Sequence, residues 1–299
     1  MSTEILMATY NGEKYLESQL YSIISQTQKD WTLLVHDDGS TDRTVEIIRT
    51  FQKRDSRIVF LEDNIKCGGP GANFLHLLHR SSGEYVMFCD QDDIWFESKL
   101  AIHLKAIQQY EQPFAVYSNG YTYDGEVIKT KNFVEFHRTC IQDSIFLNGG
   151  IHGCCIMMNR KLVRIAQNNS PDYIYMHDHF ITMLAVTFGT MNYIDKALML
   201  YRQHDQNVTG NVNVSFISRL KTFIDAENPV LEKRHYQANA SFYQCFKNQM
   251  PVEDQTLFEA YLSFPKASKF QRLAIVLRNK FKAKSVFQLL IKTLLRKAI

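Results

Sequence analysis

Through the first two hundred residues, short apolar runs alternate with segments whose apolar positions recur at helical spacing. Ile5–Ala8, Trp31–Val35, Ile58–Leu61 and Tyr85–Cys89 each hold four or five mostly apolar residues and stop at polar or turn residues, the pattern of buried strands. Between them Tyr15–Ser25, Thr44–Arg54, Ala72–Arg80 and Lys99–Tyr110 read as amphipathic helices, with Asn11 expected to cap the first and Asp42 the second. The repeated strand–helix–strand order predicts an α/β fold: a mainly parallel sheet with helices on both faces. From about Asn211 onward the texture is helical without strands, in Phe216–Ala226, Val230–Lys247 and Asp254–Phe264, punctuated by Pro229, Pro251 and Pro265. Two parts follow: residues 1–210 as the α/β domain and 211–299 as a helical C-terminal region.

Parallel sheets collect ligands beyond the carboxyl ends of their strands. Three of the first four strands end there in polar clusters: Thr9-Tyr10-Asn11, Asp37-Asp38-Gly39 and Asp90-Gln91-Asp92-Asp93. That convergence is the first sign of a functional site.

Composition narrows the class. With 45% hydrophobic and 22% charged residues in 299, the chain can bury a sizeable core. The opening MSTEILMATYNGEKYL lacks a basic stretch followed by a long apolar run, so no signal peptide is expected; no run is long enough to span a bilayer. The expectation is a cytoplasmic protein. The six cysteines form no C-x-x-C pair and read as reduced thiols. A net charge of +3 conceals an asymmetry: residues 266–299 carry ten Lys/Arg and no Asp or Glu, leaving a formal −7 on the rest. Positive charge confined to one tail points to attachment rather than to nucleic-acid binding.

Three carboxylates within Asp90–Asp93 repel one another unless a cation neutralises them, and oxygen ligands of this kind suit Mg²⁺ or Mn²⁺ bridging to a diphosphate. Taken alone, the same residues also read as an acidic turn capping the next helix. In the second cluster Asp38 is the candidate for recognising a nucleotide base, while Gly39, Ser40 and Asp42 fit a turn and a cap. Cys67-Gly68-Gly69-Pro70-Gly71 lacks both common phosphate-loop frames and reads as a tight turn into a helix beside the ligand surface. Phe270, Leu273, Leu277 and Phe281, then Phe287, Leu290, Ile291 and Leu294, recur at helical spacing among basic residues. That pattern fits an amphipathic helix in an anionic membrane interface, or a helix packed on its own domain with a solvated basic face.

Taken together, these residues resemble the family 2 glycosyltransferases of the GT-A fold, over roughly residues 3–210. Met7-Ala8-Thr9-Tyr10-Asn11-Gly12 looks like the family's opening strand and base-binding turn. VHDDGSTDRT (Val35–Thr44) matches its second signature, and Gly83-Glu84-Tyr85 through Asp93-Ile94-Trp95 the strand leading to its D-x-D metal motif. Ile151-His152-Gly153-Cys154 through Asn159-Arg160 resembles the acceptor-side segment. Met176-His177-Asp178-His179 falls where members carry an acidic pair whose second residue is the catalytic base. Tyr201-Arg202-Gln203-His204 with Asn207 and Gly210 matches a segment of the rhamnosyltransferase-like branch.

The resemblance implies an inverting, metal-dependent enzyme. Its donor would be a UDP- or dTDP-activated hexose or deoxyhexose, rhamnose favoured, and its acceptor a lipid-linked glycan in surface polysaccharide assembly at the inner membrane face. It implies Asp178 as catalytic base, or else as a helix N-cap; Ala8, Tyr10, Asn11, Asp38, Asp90 and Gln91 toward the donor; and Asp92 as metal ligand. His204 would ligate the metal or contact the diphosphate, or be a hydrogen-bonded loop histidine; His152, Gly153, Cys154 and His177 would face the acceptor. The rivals are a sugar-1-phosphate nucleotidyltransferase, whose Gly-rich basic opening loop is missing, and a sugar-nucleotide-binding scaffold without transfer.

Overall fold

The computed structural model describes residues 2–131, 134, 136–204 and 225–299. Its strands are β1 (Thr3–Thr9), β2 (Trp31–Asp37), β3 (Ile58–Phe60), β4 (Tyr85–Cys89), β5 (Ile94–Trp95), β6 (Phe114–Tyr123), β7 (Ile128–Lys131), β8 (Ile156–Asn159) and β9 (Thr190–Arg202). The helices of the α/β part are α1 (Leu16–Ile24), α2 (Thr44–Arg54), α3 (Pro70–Arg80), α4 (Lys99–Ile107), α5 (Arg160–Gln167) and α6 (His177–Phe188). Then come α7 (Lys233–Phe246), α8 (Val252–Ser263), α9 (Lys269–Asn279) and α10 (Val286–Leu295).

One sheet runs in the order β3-β2-β1-β4-β8-β6-β9-β5, with β7 beside β6. It is parallel from β3 to β4, as the apolar runs predict, because each helical crossover carries the chain back to the same end of the sheet before the next strand. Beyond β4 it is mixed: β8 is antiparallel to both β4 and β6, β9 is parallel to β6, and β5 is antiparallel to β9. Helices α3, α5 and α6 pack together as one layer, while α1 packs on α2 and α4 covers β6, β8 and β9. The central strands lie between helix layers, which is why Ile5, Leu6, Met7, Val86, Met87 and Phe88 are wholly buried.

Two expected caps resolve differently. Asn11 sits at φ 47° and turns its Oδ1 to the Thr41 amide at 2.8 Å, so it ties the β1 turn to the β2 turn and does not cap α1. Asp42 does serve the start of α2, accepting from Thr44 N at 3.0 Å. The six cysteines are all free thiols.

The C-terminal region is helical, with α7 and α8 close to the expected limits; the expected helix Phe216–Ala226, Asn207, Gly210 and the boundary at 210 fall largely outside the described residues, and Ala226 lies in a turn. The tail forms two short helices, α9 and α10, each opened by a serine whose side chain accepts a backbone N–H, Ser268 from Gln271 and Ser285 from Gln288. Their inner faces are docked: Val276, Phe281 and Leu289 are wholly buried, and Phe281 meets Phe146 at 5.0 Å between ring centroids. The chain end is clamped as well, with Val230 N donating to Lys297 O and Leu231 N to Ala298 O, both at 2.9 Å. Their outer faces carry Phe270, 86% exposed, and Phe287, 72% exposed, with Leu277 and Leu294 beside them. The tail is thus packed on its own domain through these inner faces, with its outer rings exposed. No helix among the described residues is long and apolar enough to cross a membrane.

Candidate active site

The carboxyl ends of β1, β2 and β4 are stitched into one surface. Thr9 Oγ1 donates to Asp37 Oδ1 at 2.8 Å, and Asn11 N donates to Ser40 Oγ at 2.8 Å. On the other side the Gln91 amide clasps the Tyr10 backbone, accepting from its N–H at 3.0 Å and donating to its carbonyl at 2.9 Å. Gln91 and Asn11 thus shape the turn that presents Tyr10, whose ring is exposed, while Ala8 is a buried β1 residue opposite His36. The Asp38 carboxylate accepts from the amides of Cys67, Gly68 and Gly69, the last at 2.8 Å. It holds the glycine turn, where Gly68 and Gly69 take the positive φ values of 77° and 152° that a side chain would oppose. Pro70 then opens α3, as a proline at the first helical position should.

The acidic turn after β4 is divided in role. Asp93 is wholly buried and accepts from Arg202 N at 3.0 Å; burial, then Asp92 and Asp90, push its carboxyl well up. Asp90 is pushed up to about 7, first by burial and then by Asp92, against a hydrogen bond with the Cys154 thiol. Asp92, partly exposed, meets His204 Nε2 at 2.8 Å through Oδ2 while its carbonyl accepts from Arg202 Nε at 2.8 Å. The fold therefore brings together two residues 112 apart in sequence. Tyr15 supports them: His204 stacks on its ring at 5.0 Å and the Arg202 guanidinium lies 4.6 Å from it.

Among the described residues here, one set of atoms is spaced to hold a cation, and the Asp92–His204 pair lies beside it. Asp90, Asp93 and Cys154 offer atoms within 4.8 Å of one another, but two of the three are buried and a thiol suits soft metals. Asp92 and His204 are adjacent, reachable from solvent and next to Asp90, which makes them the candidate pair for an Mn²⁺-type ion. Beneath lies Lys99, wholly buried, its Nζ donating to Cys154 O at 2.8 Å and facing the Trp95 ring at 4.5 Å.

Asp178 lies in the first turn of α6. Burial lifts its carboxyl to about 6, against the hydrogen bond from His179 N and the charge of Arg138. Arg138, itself lowered to about 10 by burial, donates through Nη1 to Gly149 O. The neighbouring Gly149 N donates to His235 Nδ1 at 3.2 Å. Ile151 N donates to Thr182 Oγ1, which donates to Asp178 O, at 2.9 and 2.7 Å. Gly150 is pressed on the Asp178–His179 peptide, leaving no room for a β-carbon. This net fixes where the carboxylate stands.

The residues expected on the acceptor side are mostly inward. His177 is buried between Phe74 and Phe88, with ring centroids at 4.2 and 4.7 Å, and burial lowers it to about 3. Neither of its ring nitrogens has a partner, and Gly153 packs directly against Nε2, so direct acceptor contact by His177 is not what the structure shows. Cys154 is buried under Asp90. His152 is half-buried beside Tyr201 at 5.4 Å, and burial lowers it to about 4. Asn159 and Arg160 serve the fold: Asn159 Oδ1 caps α5 and Arg160 Nη1 donates to Ser81 O at 3.1 Å. Sequence reading missed Arg138, Lys99, Thr182, Gly150 and Tyr15 as parts of this site. No short motif marks them, since each acts only through chain that folding brings near.

A curled mixed sheet flanked by helices, with a nucleotide-type surface at the ends of β1, β2 and β4 and a D-x-D turn beside it, defines a GT-A glycosyltransferase. Residues 4–165 match the family described as glycosyl transferase family 2, and the chain belongs to that family. It is 34% identical over 231 residues to the dTDP-rhamnosyl transferase RfbG of Shigella flexneri, covering 72% of this chain and 77% of that protein. It is also 34% identical over 252 residues to the Escherichia coli UDP-Glc:alpha-D-GlcNAc-diphosphoundecaprenol beta-1,3-glucosyltransferase WfaP, covering 81% of this chain and 95% of that protein. Among solved structures, Staphylococcus aureus TarS 1–349 in complex with UDP-GlcNAc aligns with a TM-score of 0.59 at 16% identity, over 92% of this chain and 80% of that one. The mannosyltransferase PcManGT of Pyrobaculum calidifontis, in complex with GDP-Man and Mn²⁺, gives the same TM-score and identity over 92% of this chain and 75% of that one.

Proposed function

We propose that the protein transfers a deoxyhexose, rhamnose, from its dTDP- or UDP-activated form to a lipid-linked glycan, with inversion at the anomeric carbon. The observation that carries the chemistry is the pairing of a raised, backbone-anchored carboxyl, Asp178, with the acidic turn at the ends of the parallel strands. The similarity to RfbG favours rhamnose, and that to WfaP a lipid diphosphate acceptor.

In this reading the base lies along the surface formed by Tyr10, Asn11 and the loop that Asp38 holds, and the diphosphate lies over Asp90–Asp92. Asp92 and His204 would hold a divalent cation, which supplies charge neutralisation for the departing diphosphate. Asp178 accepts the proton of the acceptor hydroxyl while its oxygen bonds to C1 of the sugar. The C1–O bond to the diphosphate breaks on the opposite face, and the nucleoside diphosphate leaves. No covalent enzyme intermediate is required.

The tail supports a peripheral membrane position. Phe270 and Phe287 project outward on a tail that carries ten basic residues and no acidic one. An anionic bilayer would relieve that crowding of positive charge and cover the exposed rings.

The experiment is a panel of dTDP- and UDP-sugars with an undecaprenyl-diphosphate-linked acceptor, with Mn²⁺ and with EDTA. Product is expected with one deoxyhexose donor, none in EDTA, and recovery on adding Mn²⁺ or Mg²⁺. Full activity in chelator-treated, metal-free protein would remove the cation from the account; preference for a hexose donor would remove rhamnose.

A further inference from the structure

Outside the acidic turn, His36 on β2, Asp63 in the loop after β3 and His76 on α3 converge on one point. Asp63 bridges the two rings: Oδ1 is 3.1 Å from His36 Nε2, and Oδ2 is 2.8 Å from His76 Nε2. One ligand atom from each residue lies within 4.8 Å of the other two, and the two rings are 4.7 Å apart between centroids. We propose that His36, Asp63 and His76 form a second metal site, a three-ligand centre for a divalent cation of the Zn²⁺ type that pins the loop 61–69 to β2 and α3.

What carries the site is the convergence of these three ligand atoms, and the hydrogen bonds of His36 are compatible with it. Asn73, one turn before His76, donates through Nδ2 to the His36 carbonyl at 3.3 Å, which turns its Oδ1 to His36 Nδ1 at 2.7 Å. Oδ1 can only accept, so Nδ1 donates. Nε2 faces the Asp63 carboxylate at 3.1 Å, either as a histidinium N–H or as a lone pair, and the lone-pair form needs positive charge between the two atoms. A metal ion supplies it, and a metal-bound imidazole typically gives its other N–H to an oxygen acceptor, as His36 does here. A tetrahedral Zn²⁺ with bonds of about 2.0–2.1 Å needs its ligand atoms about 3.3 Å apart, and one atom from each of the three residues lies within 4.8 Å of the other two.

The donor set selects the ion class. Two imidazoles and one carboxylate suit Zn²⁺ and its neighbours, whereas Mg²⁺ prefers all-oxygen sites. His36 is buried, but Asp63 and His76 are partly exposed, which leaves an entry path and room for water as a fourth ligand. Arg80 approaches Asp63 Oδ2 at 3.5 Å from the solvent side; it is half exposed and free to swing away.

The site is separate from the D-x-D turn, since β1 lies between β2 and β4 in the sheet. Its effect would be on the loop: Asp63 fixes one end and Asp38 the other, through Cys67–Gly69. That this stiffens the nucleotide pocket rests on the proposed reading of Asp38; the metal site itself does not.

The test uses full-length protein stripped with chelator, then titrated with Zn²⁺ and, as a coloured probe, Co²⁺. Wild type and Asp92→Asn are expected to bind one equivalent of Zn²⁺ that excess Mg²⁺ does not displace, with a rise in Tm and nitrogen-ligand absorption bands for Co²⁺. His76→Gln, altered at a partly exposed helix position, should lose affinity at least about tenfold and lose the Tm rise. Zn²⁺ binding that survives His76→Gln, or that disappears in Asp92→Asn, overturns the proposal. If His76→Gln does not fold, ¹⁵N spectra of wild type decide: with one equivalent of Zn²⁺, His36 should have a proton on Nδ1 only. Protons on both ring nitrogens would mean a histidinium–aspartate ion pair and refute the site.

Discussion

At the scale of single residues, Asp178 is distinguished by environment rather than by type. A carboxyl at about 6, against an ordinary value near 3.8, is a better proton acceptor than a solvated aspartate and is still ionised at neutral pH. The sign follows directly. The basic form is lost as pH falls through the raised value, so kcat/KM should be level above about pH 7 and fall tenfold per unit below about 6. A limb near 4 in the pH–rate profile would mean that Asp178 is not desolvated, or is not the base. Gly150 offers a second check. A methyl group there collides with the backbone of Asp178, and overpacking of this kind costs about 1–3 kcal/mol. Gly150→Ala should lower Tm by several degrees and lower kcat more than donor affinity, measured by calorimetry beside turnover. Unchanged kcat would show that the base tolerates displacement.

Among elements, those set by local pattern were legible in the sequence. β4 and α2 have the limits that their apolar runs predict, and α1, β1 and β2 differ by a few residues at the ends. What escaped was the mixed half of the sheet. β6 carries Ser118-Asn119-Gly120 in its middle, a sequence that reads as a turn; the Asn119 side chain instead bonds the Val134 backbone through both its oxygen and its nitrogen. β9 carries Asp195 and Lys196 and is irregularly paired to β6, so neither alternation nor an apolar run announces it. The same limit applies to the site. The D-x-D turn and Asp178 sit in local motifs, whereas Arg138 and Thr182 gain meaning only from what folding sets beside them.

The tail is also an element-scale question. Removing α9 and α10 would strip Phe281 and Leu289 from the core, so deletion is a poor test of membrane binding. Phe270→Ser with Phe287→Ser touches only outward rings. Each buried phenylalanine is worth about 1.5–3 kcal/mol, so the double variant should bind anionic vesicles at least about tenfold more weakly with Tm unchanged. Equal co-sedimentation with wild type would remove the rings from the interface.

For the whole molecule, the sheet is what makes the enzyme. It gathers the ends of three parallel strands, the acidic turn of β4 against the end of β9, and the first turn of α6 alongside. Arg202 and His204 reach from the end of β9 to Asp93 and Asp92, and Arg138 and Gly150 brace Asp178, so the proposed donor and acceptor groups would share one frame. The most direct test separates binding from transfer with Asp178→Asn. With the donor identified by the panel, calorimetry with Mn²⁺ should give the variant the wild-type donor affinity, while transfer falls about 10²–10⁴-fold, as expected for loss of a general base. Transfer near the wild-type rate, with binding intact, would contradict the assignment of Asp178 and with it the proposed mechanism.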